Sequence, residues 1–189
     1  FAQWRMRAYR DGLRIRVGRW KSVEGRPIVI LVDFTGYISK KDDILKKLWE
    51  DYRVDSISGQ WDYIEPVLFG FAAAQVIESF VAFNCRPEDK VVAHFHEWMT
   101  CSGVLYLHRN DPSVATVFTT HATVLGRSIA SNGMHLYSDM RSFNPDDISH
   151  RFGVRAKHSI EAAAANNCDC FTTVSAITSE ECEHLLGKA

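Results

Sequence analysis

The sequence has no excess of charge of either sign and no regular cysteine pattern. Lysine and arginine together number 22 against 23 aspartates and glutamates, so the formal net charge is −1. Dedicated nucleic-acid-binding domains usually carry a large positive excess, and this balance argues against a nucleic-acid partner. The five cysteines are odd in number and irregularly spaced, which is untypical of a disulfide framework and favours a reducing compartment. We therefore expect a cytoplasmic protein.

Long apolar runs and targeting signals are also missing. The longest apolar runs, such as residues 28–32, are too short to cross a bilayer, so we expect no membrane association. The first residues lack the basic-then-apolar order of a signal peptide. The chain begins at Phe1 and stops just after a helical pattern, which predicts that it is part of a larger protein.

Several motifs that hold phosphates or metals are absent. No Gly-x-Gly-x-x-Gly and no Walker loop is present, which argues against dinucleotide binding and NTPase activity. No Asp-x-Asp pair is present either, which argues against transferases that hold a nucleotide through a divalent ion. His94 and His96 would face the same side of an extended strand, but no third ligand stands at a usual spacing. We expect no metal and no cofactor.

The rest of the chain alternates apolar strands with helices. Residues 13–17 alternate apolar and basic side chains, which predicts a half-buried strand, whereas residues 28–34 form a continuous apolar stretch typical of a strand buried on both faces. Further strands are predicted at residues 91–93, 114–118 and 170–174, and helices at 44–52, 67–83, 98–107, 155–166 and 178–186. This alternation predicts an α/β fold with a mostly parallel, doubly wound sheet.

Four local patterns add detail. Residues 128–144 contain Asn-Gly and end at Asn-Pro, which predicts an irregular excursion. Thr178 and Glu181 have the spacing of a capping box at the start of the last helix. Ser175 lacks the flanking glycines of a nucleophile elbow, so we expect it to cap a helix. Residues 1–26 carry a local basic excess, which fits either a solvated face or a subunit or domain contact.

Histidines follow two successive strands of the predicted sheet. His94 and His96 come at the end of one strand, and His121 follows the next. Ligands of open parallel sheets bind outside the carboxyl ends of the strands, at a topological switch point, so we expect these histidines to face one crevice. Gly126 and Arg127 then open a helix, which would bring a guanidinium and backbone donors toward one anionic ligand. A plain surface position is the alternative for Arg127.

At these residues the chain resembles the glycogen synthases of the animal and fungal type. The motifs that carry the resemblance are residues 91–98 (VVAHFHEW), 118–127 (FTTHATVLGR) and 171–178 (FTTVSAIT). Shorter matches stand at residues 48–50, 68–71, 161–165 and 183–186. Residues 133–146 and 99–102 depart from the family pattern. The resemblance covers most of residues 28–186.

The resemblance implies a retaining glucosyltransferase of the two-domain GT-B architecture, which transfers glucose from UDP-glucose to the non-reducing end of an α-1,4-glucan such as glycogen. On this basis residues 1–189 are part of the N-terminal Rossmann-like domain, and the C-terminal nucleotide-binding domain is absent. His121 and Arg127 match UDP-glucose-binding residues. His96 matches a catalytic residue near the transferred glucose, where its ring or its backbone carbonyl assists attack. We expect the full-length protein to form a homo-oligomer.

Two rival functions stay open. The first is an ADP-glucose-dependent starch or glycogen synthase, in which an aspartate typically stands where this chain has Glu97, between His96 and Trp98. The second is a non-catalytic α/β ligand-binding module built on the same sheet. Trials with both sugar nucleotides on the full-length protein would separate these functions.

Overall fold

Two separate sheets form in this chain, whose residues 1–188 are described by a computed structural model. The strands are β1 (Arg14–Arg19), β2 (Ile28–Asp33), β3 (Val91–His96), β4 (Val114–Thr120) and β5 (Cys170–Thr173). The helices are α1 (Ala2–Arg10), α2 (Lys41–Tyr52), α3 (Trp61–Asn84), α4 (Cys101–Asn110), α5 (Val124–Ser131), α6 (Leu136–Asp139), α7 (Pro145–Arg151), α8 (Arg155–Asn167) and α9 (Ala176–Leu186). Short 3₁₀ turns cover Thr35–Lys40, Trp98–Thr100 and Met140–Ser142.

The smaller sheet pairs β1 with β2 in antiparallel register. The prediction of a half-buried β1 is confirmed, since Ile15 and Val17 are partly buried and the alternating Arg14 and Arg16 are exposed. The prediction that β2 is buried on both faces is wrong. Leu31 is 63% exposed, because only the face that carries Ile30 and Val32 packs against the buried cluster of α1 and α3. The continuous apolar run does not reveal that the other face lacks a covering layer.

The larger sheet is parallel, with strand order β3-β4-β5. Its inner face packs against α4 and α8 through buried residues that include Phe95, Phe118 and Ile160. The opposite face carries exposed Val92 and His94, so within residues 1–188 helices cover one face of this sheet. The predicted single doubly wound sheet is therefore wrong for β1 and β2, whereas the parallel α/β arrangement is confirmed for β3 to β5. The strand order is consecutive, so the described part of this sheet contains no switch point.

Helix α3 connects the two sheets. It contacts both β2 and α4, and its close approach to α4 requires glycine: a Cβ on Gly70 would lie 2.4 Å from Ser102 Oγ. Among residues 1–188, α3 is the helix that is long and apolar enough to cross a membrane by length and composition. The expectation of no membrane association concerned uninterrupted apolar runs, whereas α3 reaches this level only on average over its length, as core helices of soluble proteins also do. Tyr63 and Leu68 of α3 are buried in the main core.

Two predictions about helix starts have different outcomes. Ser175 caps α9, since its side chain accepts a hydrogen bond from the Thr178 amide. The predicted capping box is wrong, because Glu181 turns inward and accepts hydrogen bonds from Thr123 instead. The predicted excursion at residues 128–144 is only partly irregular: α5 extends to Ser131, and α6 and a 3₁₀ turn follow.

Candidate functional site

The predicted site histidines meet at the carboxyl edge of the parallel sheet. His96 is the last residue of β3, and His121 follows β4. His121 Nε2 lies 3.4 Å from His96 Nδ1. The rings of His94 and His96 have centroids 4.1 Å apart, which confirms that both project from the same side of the strand. His94 Nε2 is in turn 2.7 Å from Thr119 Oγ1.

Arg127 joins this group through Glu97. Its Nη2 lies 3.4 Å from both carboxylate oxygens of Glu97. Glu97 Oε1 also accepts a hydrogen bond of 3.1 Å from the His121 amide. Glu97 thus joins Arg127 to the His121 backbone, the His121 ring lies beside that of His96, and the Arg127 side chain is 58% exposed. Such an exposed ion pair contributes about 0–1 kcal/mol to stability, so the guanidinium is available to an anionic ligand.

Glu97 takes its place through an unusual backbone conformation. Its φ is 64° and its ψ is 160°, a region that residues other than glycine rarely occupy and that costs about 1–3 kcal/mol. The Glu97 amide still donates to the Thr119 carbonyl at 3.0 Å, which extends the pairing of β3 with β4. The sequence did not predict Glu97 as a member of the site. Glu97 was considered only as the position between His96 and Trp98 where the rival synthases carry an aspartate. Its placement beside His121 could have served as a signal, since both follow strand ends.

The amides at the start of α5 are not free for a ligand. Thr123 N–H donates to Glu181 Oε1 at 3.0 Å, and Val124 N–H donates to Glu161 Oε2 at 2.8 Å. Gly126 N–H donates to Thr123 Oγ1 at 2.8 Å. The expectation that backbone donors reach a ligand at this turn is therefore wrong for these three amides, because buried side chains already accept from them. The guanidinium of Arg127 remains exposed, as expected.

The electrostatic surroundings favour a neutral His96. Desolvation by surrounding protein atoms, followed by the nearby rings of His94 and His121, lowers the pKa of His96. A neutral imidazole can accept or donate a proton at one ring nitrogen. The backbone carbonyl of His96 accepts a hydrogen bond from Thr100 Oγ1 at 2.8 Å, which leaves this oxygen one further lone pair for a ligand hydroxyl. Both groups named for His96 can therefore take part in proton or hydroxyl positioning.

Comparisons with known proteins agree with the motifs. A family model described as "Glycogen synthase" matches residues 3–189. The chain is 37% identical over 175 residues to "Glycogen [starch] synthase" of Dictyostelium discoideum and 36% identical over 182 residues to that of Neurospora crassa. It is 29% identical over 177 residues to "Glycogen [starch] synthase, liver" of Rattus norvegicus.

These matches cover almost all of the chain and a small part of each relative. The matched residues are 93%, 96% and 94% of this chain, and 19%, 25% and 25% of the three relatives in the same order. The chain therefore spans about a fifth to a quarter of the length of these proteins. The family model extends over nearly every residue, including both histidine segments. The chain belongs to the glycogen synthase family.

Proposed function

We propose that the full-length protein is a retaining glucosyltransferase that adds glucose from UDP-glucose to the non-reducing end of an α-1,4-glucan. The observation that carries the proposal is that His96, His121 and Arg127 lie at one sheet edge, where Glu97 contacts His121 and Arg127 and the His121 ring contacts His96. Two of these groups, His121 and Arg127, are the residues expected to bind UDP-glucose. They follow β4 within one short segment, and they share Glu97 as a partner.

In this proposal Arg127 stabilises the departing diphosphate. Loss of UDP develops negative charge on the phosphate oxygens, and a fixed cationic donor lowers the free energy of that transition state. Arg127 is held weakly by Glu97, so it can exchange this carboxylate for phosphate without a large cost. The ring of His121 forms a hydrogen bond with the same sugar nucleotide, as donor or as acceptor. No divalent ion is required when a guanidinium supplies the positive charge.

His96 is the proposed catalytic residue beside the transferred glucose. Its pKa lies below that of a free histidine, so at neutral pH its ring is mostly uncharged and can assist a hydroxyl group. Glu97 has its oxygens shared between the His121 amide and Arg127, which suits an orienting role better than that of a nucleophile. Retention then follows from attack on the same face as the departing UDP.

The whole protein would combine this chain with a second domain. All three proposed site residues are exposed on one open surface, as expected for one wall of a cleft. We propose that residues 1–189 form part of the N-terminal Rossmann-like domain of a GT-B enzyme whose other domain completes the donor site. The expected setting is a cytoplasmic homo-oligomer with UDP-glucose and glycogen as its partners.

The test is glucosyl transfer by the full-length protein. Purified protein is incubated with a maltooligosaccharide and either UDP-glucose or ADP-glucose, and nucleotide release and chain length are measured. Proton NMR of the first product gives the anomeric configuration. We expect transfer from UDP-glucose with an α linkage, and loss of transfer in His121→Ala. Efficient use of ADP-glucose alone would support the rival donor, and donor binding without turnover would support the non-catalytic module.

A further inference from the structure

Two buried carboxyl groups lie behind the candidate site without facing it. Glu161 of α8 is 0% exposed and Glu181 of α9 is 1% exposed. Burial of a carboxyl group costs free energy unless hydrogen bonds replace those to water. The hydrogen-bond partners of these two side chains therefore show which part of the fold they stabilise. Both have partners between the end of β4 and the first turn of α5, and Glu181 also forms a hydrogen bond with Tyr137.

Glu181 holds the first turn of α5. Its Oε1 accepts hydrogen bonds from Thr123 N–H at 3.0 Å and from Thr123 Oγ1–H at 2.6 Å. The same hydroxyl oxygen accepts from Gly126 N–H at 2.8 Å. A Cβ on Gly126 would lie only 2.2 Å from Glu181 Oε1. The carboxylate is therefore packed directly against the start of the helix, and only glycine leaves room for it.

Glu161 holds the same segment from the other side. Its Oε1 lies 2.9 Å from Thr120 Oγ1, and its Oε2 accepts a hydrogen bond from Val124 N–H at 2.8 Å. Thr120 and Val124 flank His121 along the chain, and Arg127 follows in the first turn of α5. The two carboxyl groups thus fix the backbone on both sides of His121 and immediately before Arg127.

We propose that Glu161 and Glu181 are positioning residues, which set the orientation of His121 and Arg127 toward the sugar nucleotide without touching it. This inference rests on the proposed function. A displacement of about 1 Å in a substrate-binding group can lower a rate by about a hundredfold. The buried bonds therefore matter for the reaction as well as for the stability of the fold.

The ionisation of Glu161 agrees with this geometry. Burial, together with the nearby charges of Glu97 and Glu181, raises the pKa of Glu161 to about 8. The buried thiols of Cys101 and Cys182 also face this carboxyl group. At neutral pH the group is then mostly protonated, while its Oε1 accepts from the Thr120 hydroxyl and its Oε2 accepts from Val124 N–H. A glutamine keeps both contacts, because its amide oxygen accepts from Val124 N–H and its amide NH2 donates to the Thr120 hydroxyl oxygen, whereas an alanine loses both.

The experiment uses a matched pair of buried threonines in the full-length protein. Thr123 gives its N–H and hydroxyl to Glu181, and Thr116 gives its N–H and hydroxyl to Asp169 Oδ2 at 2.7 and 2.8 Å. Both threonines are buried, at 0% and 1% exposure. Valine removes the hydroxyl from either one with little change in volume. The Thr116 bond lies outside the segment that carries His121.

For Thr123→Val we expect kcat/KM for UDP-glucose to fall at least about tenfold, while the KM for glucan stays unchanged. A tenfold fall corresponds to about 1.4 kcal/mol of lost transition-state stabilisation. Thr123→Ser should restore the activity, and Thr116→Val should keep it, although both valine variants lower Tm. Glu161→Gln should stay near the wild-type value, whereas Glu161→Ala should fall like Thr123→Val.

Two results would overturn parts of this scheme separately. Wild-type protein that never uses a sugar nucleotide would refute the proposed function. Active wild-type protein with equal donor kinetics in Thr123→Val and Thr116→Val would refute the positioning role alone. The threonine pair decides the role of Glu181. If Glu161→Ala does not fold, Thr120→Val decides the role of Glu161, because it removes the hydroxyl that bonds Glu161 Oε1 and leaves both carboxyl groups in place.

Discussion

Replacement of Arg127 by alanine separates a substrate-binding role from a structural one. The guanidinium contacts Glu97 at 3.4 Å and is 58% exposed, so its ion pair contributes about 0–1 kcal/mol to stability. In a domain of this size that corresponds to a fall in Tm of at most about 4 °C. A hydrogen bond between Arg127 and a charged phosphate contributes about 1.5–3 kcal/mol. The expected loss in kcat/KM for UDP-glucose is therefore roughly 10- to 150-fold.

The assay is steady-state kinetics with varied UDP-glucose on the full-length protein, checked by thermal melting. Arg127→Lys should recover part of the activity, because an ammonium keeps the charge but loses the planar fork. Arg141→Ala is the matched control. Arg141 forms a comparable ion pair with Glu180 at 3.5 Å and its side chain is 86% exposed. If Arg127→Ala keeps the efficiency of Arg141→Ala, then Arg127 is an ordinary surface residue and the proposed role is refuted.

Three further predictions concern metal, the isolated chain and pH. Activity of the full-length protein should survive exhaustive chelation, because Arg127 supplies the positive charge; a loss restored by manganese or magnesium would contradict this. Residues 1–189 alone, shown to be folded by circular dichroism, should release no UDP during incubation with glucan, since the exposed site is one wall of a cleft; turnover by this chain would contradict the two-domain scheme. The contribution of Glu161 to the free energy of unfolding should fall as pH rises from about 4.5 to about 8, by up to about 1.4 kcal/mol per pH unit. The reason is that folded Glu161, with its pKa near 8, holds a proton that the unfolded chain releases. Glu161→Gln should remove this dependence, so a Tm difference between the two proteins that does not change between pH 5 and pH 8 would show that Glu161 is ionised when folded.

The sequence predicted most of the parallel sheet because its periodicity is local. The strands near residues 91, 114 and 170 and the helix at residues 155–166 all form close to the expected bounds. The error at β2 has a physical cause. An apolar run reports that side chains avoid water, but it does not report which layer covers them, and Leu31 stays exposed because β2 pairs with β1 alone.

One rule made part of the site predictable: the carboxyl ends of neighbouring parallel strands lie at the same edge of the sheet. That rule brings His96 and His121 together, and their ring nitrogens are indeed 3.4 Å apart. The rule about strand ends says nothing about Glu97, whose φ is positive and whose carboxylate contacts both His121 and Arg127. The same limit applies to Glu181, whose spacing from Thr178 suggests a local cap. A contact across 58 residues, from Thr123 to Glu181, leaves no periodic signal.

The buried carboxyl groups also indicate that side chains contribute most of the anion binding in the proposed reaction. A helix start usually offers free amides and a partial positive charge to a phosphate. At the start of α5 the amides of Thr123 and Val124 donate hydrogen bonds to Glu181 and Glu161, so these two donors bind carboxyl groups of the protein itself. A diphosphate at this edge therefore depends on the guanidinium of Arg127 and the ring of His121. This dependence is the reason that we expect a larger kinetic effect from Arg127→Ala than its weak ion pair with Glu97 alone would indicate.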